Sequence, residues 1–365
     1  MNVSRPLTPL MPLTPARLAA ALRTFLQQRY RPGRPYESLQ TLIDEGLDAL
    51  PYPGGGDTLV RWRMLADAAS VDLCFAKLFE SHTDALAILH ELQDLAPRAP
   101  ASAASSPFHG GICAVWCSES PTARVTLTPF ERDNREVTLS GTKAWCSGAP
   151  HVRSALVSAW DGDTPCLVFV DLAQVQTGRI EVKPNEWHAI GMACTQSFDV
   201  TFHDARAHRI GAPGAYLSRP GFHHGGAGIA ACWYGAAAGI ADVVRETVSG
   251  RPDDPHALAH MGVIDVALAQ AASVLRATAH TIDAHPDASC LHDVRRARLS
   301  VEACVETVLR HAPRAVGPGP MCRNARFAQL LADLPVFIRQ SHAERDLAEL
   351  GRAVLTSDNA QLWTL

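Results

Sequence analysis

The chain has 365 residues, of which 47% are hydrophobic and 19% are charged, and its formal net charge is −4. This length is sufficient for two or three structural domains with a large core, and the composition is that of an ordinary globular protein. The weak negative charge provides no field that would attract nucleic acid. We find no apolar run long enough to cross a bilayer and no signal-peptide segment, so we expect a cytoplasmic protein without membrane spans.

Cysteine usage is consistent with that compartment. The ten cysteines form no CxxC pair, and no cluster of Cys and His residues has the spacing of zinc ligands. We therefore expect buried, reduced thiols and no metal site.

The N-terminal region, residues 1–108, has helical periodicity. Thr14 and Pro15 form an N-cap followed by a proline at the first helical position, and further helices are predicted at Tyr36–Gly46 and Arg61–Leu92. The Ala-, Ser- and Pro-rich stretch Ala96–Pro107 is typical of a linker. We predict an all-helical N-terminal domain that ends with this linker.

The middle region, residues 109–212, alternates apolar and polar side chains with a period of two. Short strands separated by turns favour a compact antiparallel barrel or sandwich. Seven strands are predicted, at Ile112–Cys117, Arg124–Thr128, Val137–Ser140, Ala155–Ala159, Cys166–Asp171, Arg179–Val182 and Ser197–Phe202.

The C-terminal region, residues 213–365, returns to helical periodicity. Apolar residues recur at helical spacing along four stretches, the last of which begins at Asp333-Leu334-Pro335. Four long amphipathic helices predict a bundle. The whole chain is therefore predicted to be an α+β protein with helical, β and helical regions in that order.

One segment of the middle region, Leu139–Gly148, carries a pattern suited to ligand binding. Gly141 permits a turn, and in a regular strand Lys143, Trp145 and Ser147 would point to one face. An aromatic ring beside a hydroxyl can stack on a flat heteroaromatic ligand and form a hydrogen bond with its edge. A tryptophan packed inside the sheet is the alternative interpretation.

Three segments together resemble acyl-CoA dehydrogenases. The sequence LSGTKAWCSGA is similar to the family's NGxKxWITNA segment, VWCSES to its VTEP segment, and Trp187–Asp204 to its GMRxSxTxxVxFxDV segment. They occur in the family's order, and the resemblance extends from about residue 35 to about residue 350. It implies an N-terminal helical domain, a middle antiparallel β-barrel or sandwich and a C-terminal four-helix bundle, with FAD bound between the last two.

The resemblance also implies which residues bind the cofactor. Cys117 and Ser118 match positions that form hydrogen bonds with the flavin ring edge. Trp145 matches the tryptophan that packs against the isoalloxazine, and Cys146 and Ser147 follow it in the same segment. These five residues are the predicted flavin contacts within one subunit.

Two further cofactor residues are implied to act across a subunit interface. Arg251 resembles an arginine that reaches the pyrophosphate in the neighbouring subunit, although Asp253 and Asp254 follow it here. Gly317 lies in a segment similar to the one that approaches the partner's adenosine, although Pro318 follows it. A homodimer or homotetramer is implied by this shared cofactor site.

The family's usual reaction is the α,β-dehydrogenation of an acyl thioester bound to CoA or a carrier protein. A carboxylate removes the α-proton, a hydride passes to flavin N5, and an electron-transfer flavoprotein accepts the electrons. The usual glutamate falls near Val354 and its less common alternative near Gly225, so neither is present. His223, His224 and His342 are the candidate catalytic residues in their place.

The missing glutamate leaves two other functions open. Flavin monooxygenases share the fold, use reduced flavin and O2, and need no base for an α-proton. The stretch Arg326–Arg352, which contains His342, resembles their C-terminal pattern. The other alternative is a non-catalytic relative that binds flavin or pairs with a partner subunit.

Overall fold

The computed structural model describes residues 13–92, 111–130, 133–184, 187–356 and Trp363. The predicted linker at Ala96–Pro107 lies outside the described residues. Helices precede and follow a β-region, in the predicted order.

Within the described part of the N-terminal region, residues 13–92, there are four helices: α1 (Pro15–Gln28), α2 (Pro35–Asp44), α3 (Thr58–Val71) and α4 (Leu73–Leu92). The N-cap at Thr14 is confirmed, since its hydroxyl accepts a hydrogen bond from the Arg17 amide. The helical character predicted for Arg61–Leu92 is confirmed, but the stretch is divided into two helices because Asp72 adopts an extended conformation between α3 and α4. The Asp72 carboxylate accepts a hydrogen bond from the Phe75 amide at 2.7 Å, so it caps the new helix.

Seven strands are described between residues 111 and 210: β1 (Cys113–Trp116), β2 (Val125–Phe130), β3 (Asp133–Cys146), β4 (Ser154–Asp161), β5 (Thr164–Asp171), β6 (Ile180–Lys183) and β7 (Phe198–Ile210). The strands β4, β2, β3, β7 and β5 pair in a closed ring, which is a five-stranded barrel. The prediction of purely antiparallel pairing is wrong, because β4 pairs in parallel with both β1 and β2. The chain from β1 to β4 is long enough for such a connection, since it includes the whole β2–β3 hairpin.

The C-terminal part of β3 departs from the regular strand predicted for it. Lys143 pairs with Val200, and Cys146 pairs with Phe198. Between these two pairs β3 contains one residue more than β7, which is a β-bulge. Trp145 lies in this bulge with φ of +59°. Lys143 is therefore buried at 1% exposure whereas Trp145 is 50% exposed, and the two side chains do not share a face.

The described residues after β7 form seven helices: α5 (Ala215–Ser218), α6 (Pro220–Ser249), α7 (Pro255–Ala284), α8 (Leu291–Val316), α9 (Pro318–Arg323), α10 (Ala325–Phe337) and α11 (Glu344–Leu355). Helices α6, α7 and α8 pack on one another, and α10 packs on α6. Helix α6 also lies against α3, where a Cβ on Gly235 would come within 2.2 Å of the Ala66 carbonyl oxygen. Only glycine permits this close approach of the two backbones.

The fourth long helix, predicted to begin at Asp333, is wrong. Helix α10 ends at Phe337, two residues after Pro335, and a short 3-10 turn and an extended residue, Ser341, precede α11. Proline favours such an interruption because it lacks an amide hydrogen. The break places residues 336–342 beside the barrel, where they take part in the candidate site described below.

Two of these helices, α6 and α7, are long and apolar enough to cross a membrane by length and composition alone. This corrects the expectation that no such stretch exists. Most of the apolar window of α6 is buried within the protein, whereas most of that of α7 is not. Core helices of globular proteins can have the same length and composition as membrane spans. These two helices are therefore weak evidence for a membrane protein.

Candidate functional site

A cavity of about 650 Å³ lies where the barrel meets α4, α6 and the α10–α11 connection. Ligand sites typically have volumes of this order. Its walls come from seven parts of the chain: α4, β1 with the segment after it, the end of β3, the loop before β7, α5, α6, and the end of α10 with the segment after it. The lining includes Lys77, Glu80, Asp84, Cys117, Ser118, Glu119, Trp145, Ser147, Trp187, Met192, Thr195, Ser197, Tyr216, Ile229, Phe337, Arg339 and His342.

Trp145 presents its ring at this cavity. The bulge in β3 turns the residue out of the sheet, and its amide donates to Asp199 at 3.3 Å. A half-exposed tryptophan held in a left-handed backbone conformation is unusual for a core residue. Its flat face is available for stacking on a planar ligand.

A row of hydroxyls lies beside the tryptophan. The Ser147 and Ser197 oxygens are 2.8 Å apart, and the Ser197 and Thr195 oxygens are also 2.8 Å apart. Thr195 donates to the Met192 carbonyl at 2.7 Å, which fixes the end of the row. These groups can donate to or accept from the edge of a heteroaromatic ring.

Glu119 organises the segment that follows β1. Its carboxylate accepts hydrogen bonds from Lys143 Nζ at 2.7 Å, from Trp160 Nε1 at 3.1 Å and from the Ser158 hydroxyl. Partial burial acts to raise the pKa of Glu119, but these donors outweigh it and lower the pKa below its usual range. Through these three hydrogen bonds, the Glu119 carboxylate fixes the position of the neighbouring Ser118 in the cavity wall.

Cys117 is a protonated thiol at neutral pH. Burial raises its pKa to about 11, although the nearby Lys143 and a hydrogen bond with Tyr216 act in the opposite direction. Burial, followed by the nearness of Cys117 and Asp84, raises the pKa of Tyr216 well above its usual value. Both groups can therefore serve as neutral hydrogen-bonding groups rather than nucleophiles.

The inner end of the cavity is formed by charged residues of α4. Lys77 Nζ lies 2.9 Å from Glu80 Oε2, and both side chains are largely buried. Asp84 lies one turn further along the helix, and burial raises the pKa of its carboxyl group. This wall is polar, unlike the apolar tunnel that an alkyl chain requires.

Two exposed basic residues lie at the outer end. Arg339 contacts Glu302 at 3.5 Å, and the His342 Nδ1 atom lies 3.7 Å from Asp346. More than half of each of these two basic side chains is exposed. They can approach an anionic group of a bound ligand.

The cavity brings together five of the predicted site residues, namely Cys117, Ser118, Trp145, Ser147 and His342. The other five do not line it. Cys146 is fully buried, and its thiol points to the Lys143 carbonyl because the bulge reverses the alternation of faces. Arg251 and Gly317 lie near each other at one end of α6–α8, where Arg251 donates to the Ala315 carbonyl at 2.7 Å.

His223 and His224 also lie outside the cavity lining. His224 is 1% exposed, and its Nε2 atom lies 2.8 Å from the Ala288 carbonyl oxygen. Burial lowers the pKa of both histidines. The contact with Ala288 gives His224 a structural partner away from the candidate site.

Sequence reasoning missed Glu119, Asp84 and Arg339. Glu119 directly follows Ser118 in the VWCSES segment. A charged side chain beside a predicted flavin contact could have identified it as part of the site. Asp84 could have been found from the i, i+3, i+7 spacing of Lys77, Glu80 and Asp84, which places three charged side chains on one face of α4. No comparable signal marks Arg339, which reaches the site only because the helix breaks after Phe337. Among the described residues, no group of three or more His, Cys, Asp or Glu side chains is arranged to hold a metal ion.

Comparison with known proteins identifies the fold. No protein-family model matches the chain, and no curated protein matches its sequence. TdsC from Paenibacillus sp. A11-2, crystallised with FMN and indole, is 19% identical with a TM-score of 0.71 over 93% of this chain and 96% of TdsC. Methanesulfinate monooxygenase MsuC from Pseudomonas fluorescens is 18% identical, with a TM-score of 0.73 over 94% of this chain and 97% of MsuC.

A third solved structure is KijD3 in complex with FMN and dTDP-3-amino-2,3,6-trideoxy-4-keto-3-methyl-D-glucose. It is 18% identical, with a TM-score of 0.73 over 95% of each chain. At this level of identity the likeness establishes the fold and not the reaction. The chain has the fold of these flavin-dependent enzymes, which is the acyl-CoA dehydrogenase fold predicted from the three sequence segments.

Proposed function

We propose that the protein is a flavin-dependent monooxygenase that binds its flavin in the Trp145 cavity. The half-exposed Trp145 ring beside the Ser147–Ser197–Thr195 hydroxyls carries this proposal, because it offers a stacking face and edge partners within one cavity. TdsC and KijD3 were both crystallised with FMN, which supports a flavin. The choice between FMN and the predicted FAD is left to experiment.

The bound flavin would supply electron transfer to O2, and the chain's own residues would hold and shield the substrate. Cys117, Tyr216 and Ser118 offer neutral hydrogen bonds at the cavity wall. Phe337 and Met192 are almost fully buried and exclude water from its inner part. Glu119, tied to Lys143, Ser158 and Trp160, keeps the Cys117–Ser118 segment in place.

The inner wall favours monooxygenation over dehydrogenation of an acyl chain. An alkyl chain pressed against Lys77, Glu80 and Asp84 would remove their charges from polar surroundings without replacing any hydrogen bond. TdsC and MsuC are both described as monooxygenases, which is in keeping with this interpretation. His342, at the outer end, is the one predicted catalytic residue that we retain in this proposal.

A dehydrogenase is the second candidate, and one observation favours it. A Cβ built on Gly225 would lie 3.0 Å from the Asp84 Oδ1 atom. The resemblance places the less common catalytic glutamate near Gly225, so Asp84 brings a carboxylate from α4 to the same space. In that case Asp84 would remove the α-proton of an acyl thioester.

Visible spectroscopy and flavin titration test the proposal. We expect the purified protein to bind FMN or FAD, and we expect Trp145→Ala to weaken binding about tenfold because the stacking face is lost. Trp145→Phe is the matched variant and should retain most of the affinity. A protein that binds neither flavin would exclude both enzyme candidates.

Reaction with O2 or with thioesters separates the two candidates. For a monooxygenase, we expect the photoreduced flavoprotein to be reoxidised by O2, and acyl-CoA thioesters to leave the oxidised flavin spectrum unchanged under anaerobic conditions. Anaerobic bleaching of the flavin by an acyl-CoA would instead identify a dehydrogenase. In that event Asp84→Asn should abolish the bleaching.

We also propose that the chain forms a homodimer or homotetramer through α7. Three large apolar side chains of this helix, Leu258, Val263 and Val266, are between 41% and 55% exposed. They lie within about 140° of one another around the helix axis, given 100° per residue. Such a continuous apolar strip on an outer helix is typical of a subunit contact.

A further inference from the structure

Two free cysteine thiols from distant parts of the chain, Cys74 and Cys194, are in contact beside the cavity wall. Cys74 lies in the first turn of α4, and Cys194 lies in the short 3-10 turn Ala193–Thr195 that precedes β7. The Cys194 thiol forms a hydrogen bond with Cys74, and the Cys194 backbone forms another with the Cys74 sulfur. The packing of the turn on α4 therefore places the two sulfur atoms side by side.

The surrounding contacts hold the pair in this arrangement. The Cys74 thiol donates to Asp333 Oδ2 at 3.9 Å, while Asp333 Oδ1 accepts from the Met192 amide at 2.5 Å. Met192 and Gln196 flank the 3-10 turn with φ of +58° and +41°, conformations that persist only where the surroundings impose them. One carboxyl group thus connects α4 to the turn and fixes Cys194 beside Cys74.

The two thiols differ in their access to solvent. Cys74 is 1% exposed, whereas Cys194 is an exposed residue. Burial is the main cause that raises the pKa of each thiol, so both are protonated at neutral pH. An oxidant in solution can reach the outer sulfur only, and the inner sulfur is then the nearest thiol that can react with the product.

We propose that Cys74 and Cys194 are a peroxide-sensitive pair, which hydrogen peroxide converts into a reversible disulfide bond between α4 and the cavity wall. This inference goes beyond the proposed function and does not depend on it. The bond would join α4 directly to the turn that carries Thr195, one of the hydroxyl residues beside Trp145.

The reaction proceeds in two balanced steps. The Cys194 thiolate attacks one oxygen of hydrogen peroxide, the O–O bond breaks, and the products are a sulfenic acid and hydroxide, which the proton released from Cys194 converts to water. The Cys74 sulfur then attacks the Cys194 sulfur, the S–O bond breaks, and the second water leaves. Asp333, which already accepts the Cys74 hydrogen bond, is positioned to relay the Cys74 proton to that oxygen. Two electrons pass from the two sulfurs to the peroxide.

Mass spectrometry of the full-length protein, digested without reducing agent before and after treatment with hydrogen peroxide, tests the pair. We expect a pair of peptides joined through Cys74 and Cys194 in the treated wild type, and we expect dithiothreitol to separate them. The initial rate of linkage should rise about tenfold between pH 7 and 8, because only the thiolate reacts and Cys194 is mostly protonated in this range.

Two exposed cysteines provide the variant and its matched control. Cys194→Ser should form no linked peptide with Cys74, whereas Cys322→Ser, at an exposed position of α9, should retain the link of the wild type. The wild-type digest decides the question even if a variant fails to fold.

Two results would overturn the inference. One is oxidation of Cys194 to a sulfenic or sulfinic acid while Cys74 remains a free thiol, and the other is no reaction at either residue. The same digests made from flavin-free protein keep this test separate from the proposed function. A protein that binds no flavin but forms the link would refute the proposed function and support the peroxide-sensitive pair.

Discussion

At the scale of single residues, Trp145 combines an unfavourable backbone with an exposed ring. A left-handed backbone conformation destabilises a bulky residue by on the order of 1 kcal/mol. Because the indole ring is half-exposed, it also contributes less hydrophobic stabilisation than a buried ring would. Conformations of this kind persist where the surroundings impose them, and they cluster at ligand sites. Here the β3 bulge and the hydrogen bond from the Trp145 amide to Asp199 impose it.

His224 gives a prediction about stability and pH. Burial lowers its pKa below the ordinary value of 6.5. The unfolded chain therefore binds more protons than the folded one as pH falls through 6.5, so the free energy of unfolding should decrease there. The contribution of this residue is at most about 1.4 kcal/mol per pH unit.

Urea unfolding of wild type and His224→Gln between pH 7.5 and 5.5 measures this effect. We expect the wild type to lose more stability than the variant over that range, because the glutamine amide nitrogen can take the place of Nε2 as a donor to the Ala288 carbonyl but does not titrate. His280→Gln, at an exposed position of α7, should behave as the wild type. Parallel curves of stability against pH for wild type and His224→Gln would contradict the assignment.

At the scale of secondary-structure elements, Asp333 joins α10 to the loop that lines the cavity. It is fully buried, and its Oδ1 atom accepts from the Met192 amide at 2.5 Å and from Gln329 Nε2 at 2.8 Å. A Cβ on Gly191 would come within 2.0 Å of the Ala332 carbonyl oxygen, so loop and helix are in close contact. One side chain thus positions both Met192 and Thr195 at the site.

Replacing this residue should affect stability and cofactor binding together. We expect Asp333→Ala to cost about 1–3 kcal/mol, because the buried Met192 amide loses its acceptor. It should also weaken flavin binding, since Met192 and Thr195 form part of the cavity wall. Chemical denaturation and flavin titration measure the two effects.

Asp333→Asn is the matched variant. Its amide oxygen preserves the acceptor, and the substitution removes a carboxyl whose pKa is raised by burial. We therefore expect stability at pH 7 equal to or above that of the wild type, with flavin affinity retained. If Asp333→Ala and Asp333→Asn lower the free energy of unfolding equally, the loss of the hydrogen bond from the Met192 amide is not the cause of the destabilisation.

At the scale of the whole molecule, the outer surface of α7 bears on assembly. Helix α6 is surrounded by α3, α7, α8 and α10, whereas α7 leaves Leu258, Val263 and Val266 exposed. Arg251 and Gly317, for which the resemblance implies contacts with a partner's cofactor, lie at one end of α6–α8 and away from the cavity of their own subunit. This location is consistent with the implied role, which stays a prediction.

Sedimentation velocity tests the subunit contact. We expect the wild type to sediment as a dimer or tetramer, and the double variant Val263→Asp and Val266→Asp to shift towards monomer because charges at an apolar interface lose their hydration. Val175→Asp, at a comparably exposed apolar position on the barrel side of the chain, should not change the sedimentation. A monomeric wild type would refute the contact.

The sequence by itself determined the fold class, the order of its regions and most strand positions. Periodicity suffices for these because it reports which face of each element is buried. It also identified Trp145 and Ser147 from residue types that suit a flat ligand. Periodicity did not predict that Arg61–Leu92 divides into two helices, and the fourth long helix was wrong, because the interruptions at Asp72 and after Pro335 depend on caps and contacts that periodicity does not record.

Only the tertiary structure decided the composition of the site. The β3 bulge separates Lys143 from Trp145, and the break after α10 brings Arg339 and His342 to the cavity. The spacing of Lys77, Glu80 and Asp84 predicts that they share one face of a helix, but only the packing of α4 beside Gly225 of α6 shows that this face lines the cavity. The physical reason is that burial and hydrogen-bond satisfaction are properties of contacts between distant segments, whereas sequence patterns describe one segment at a time.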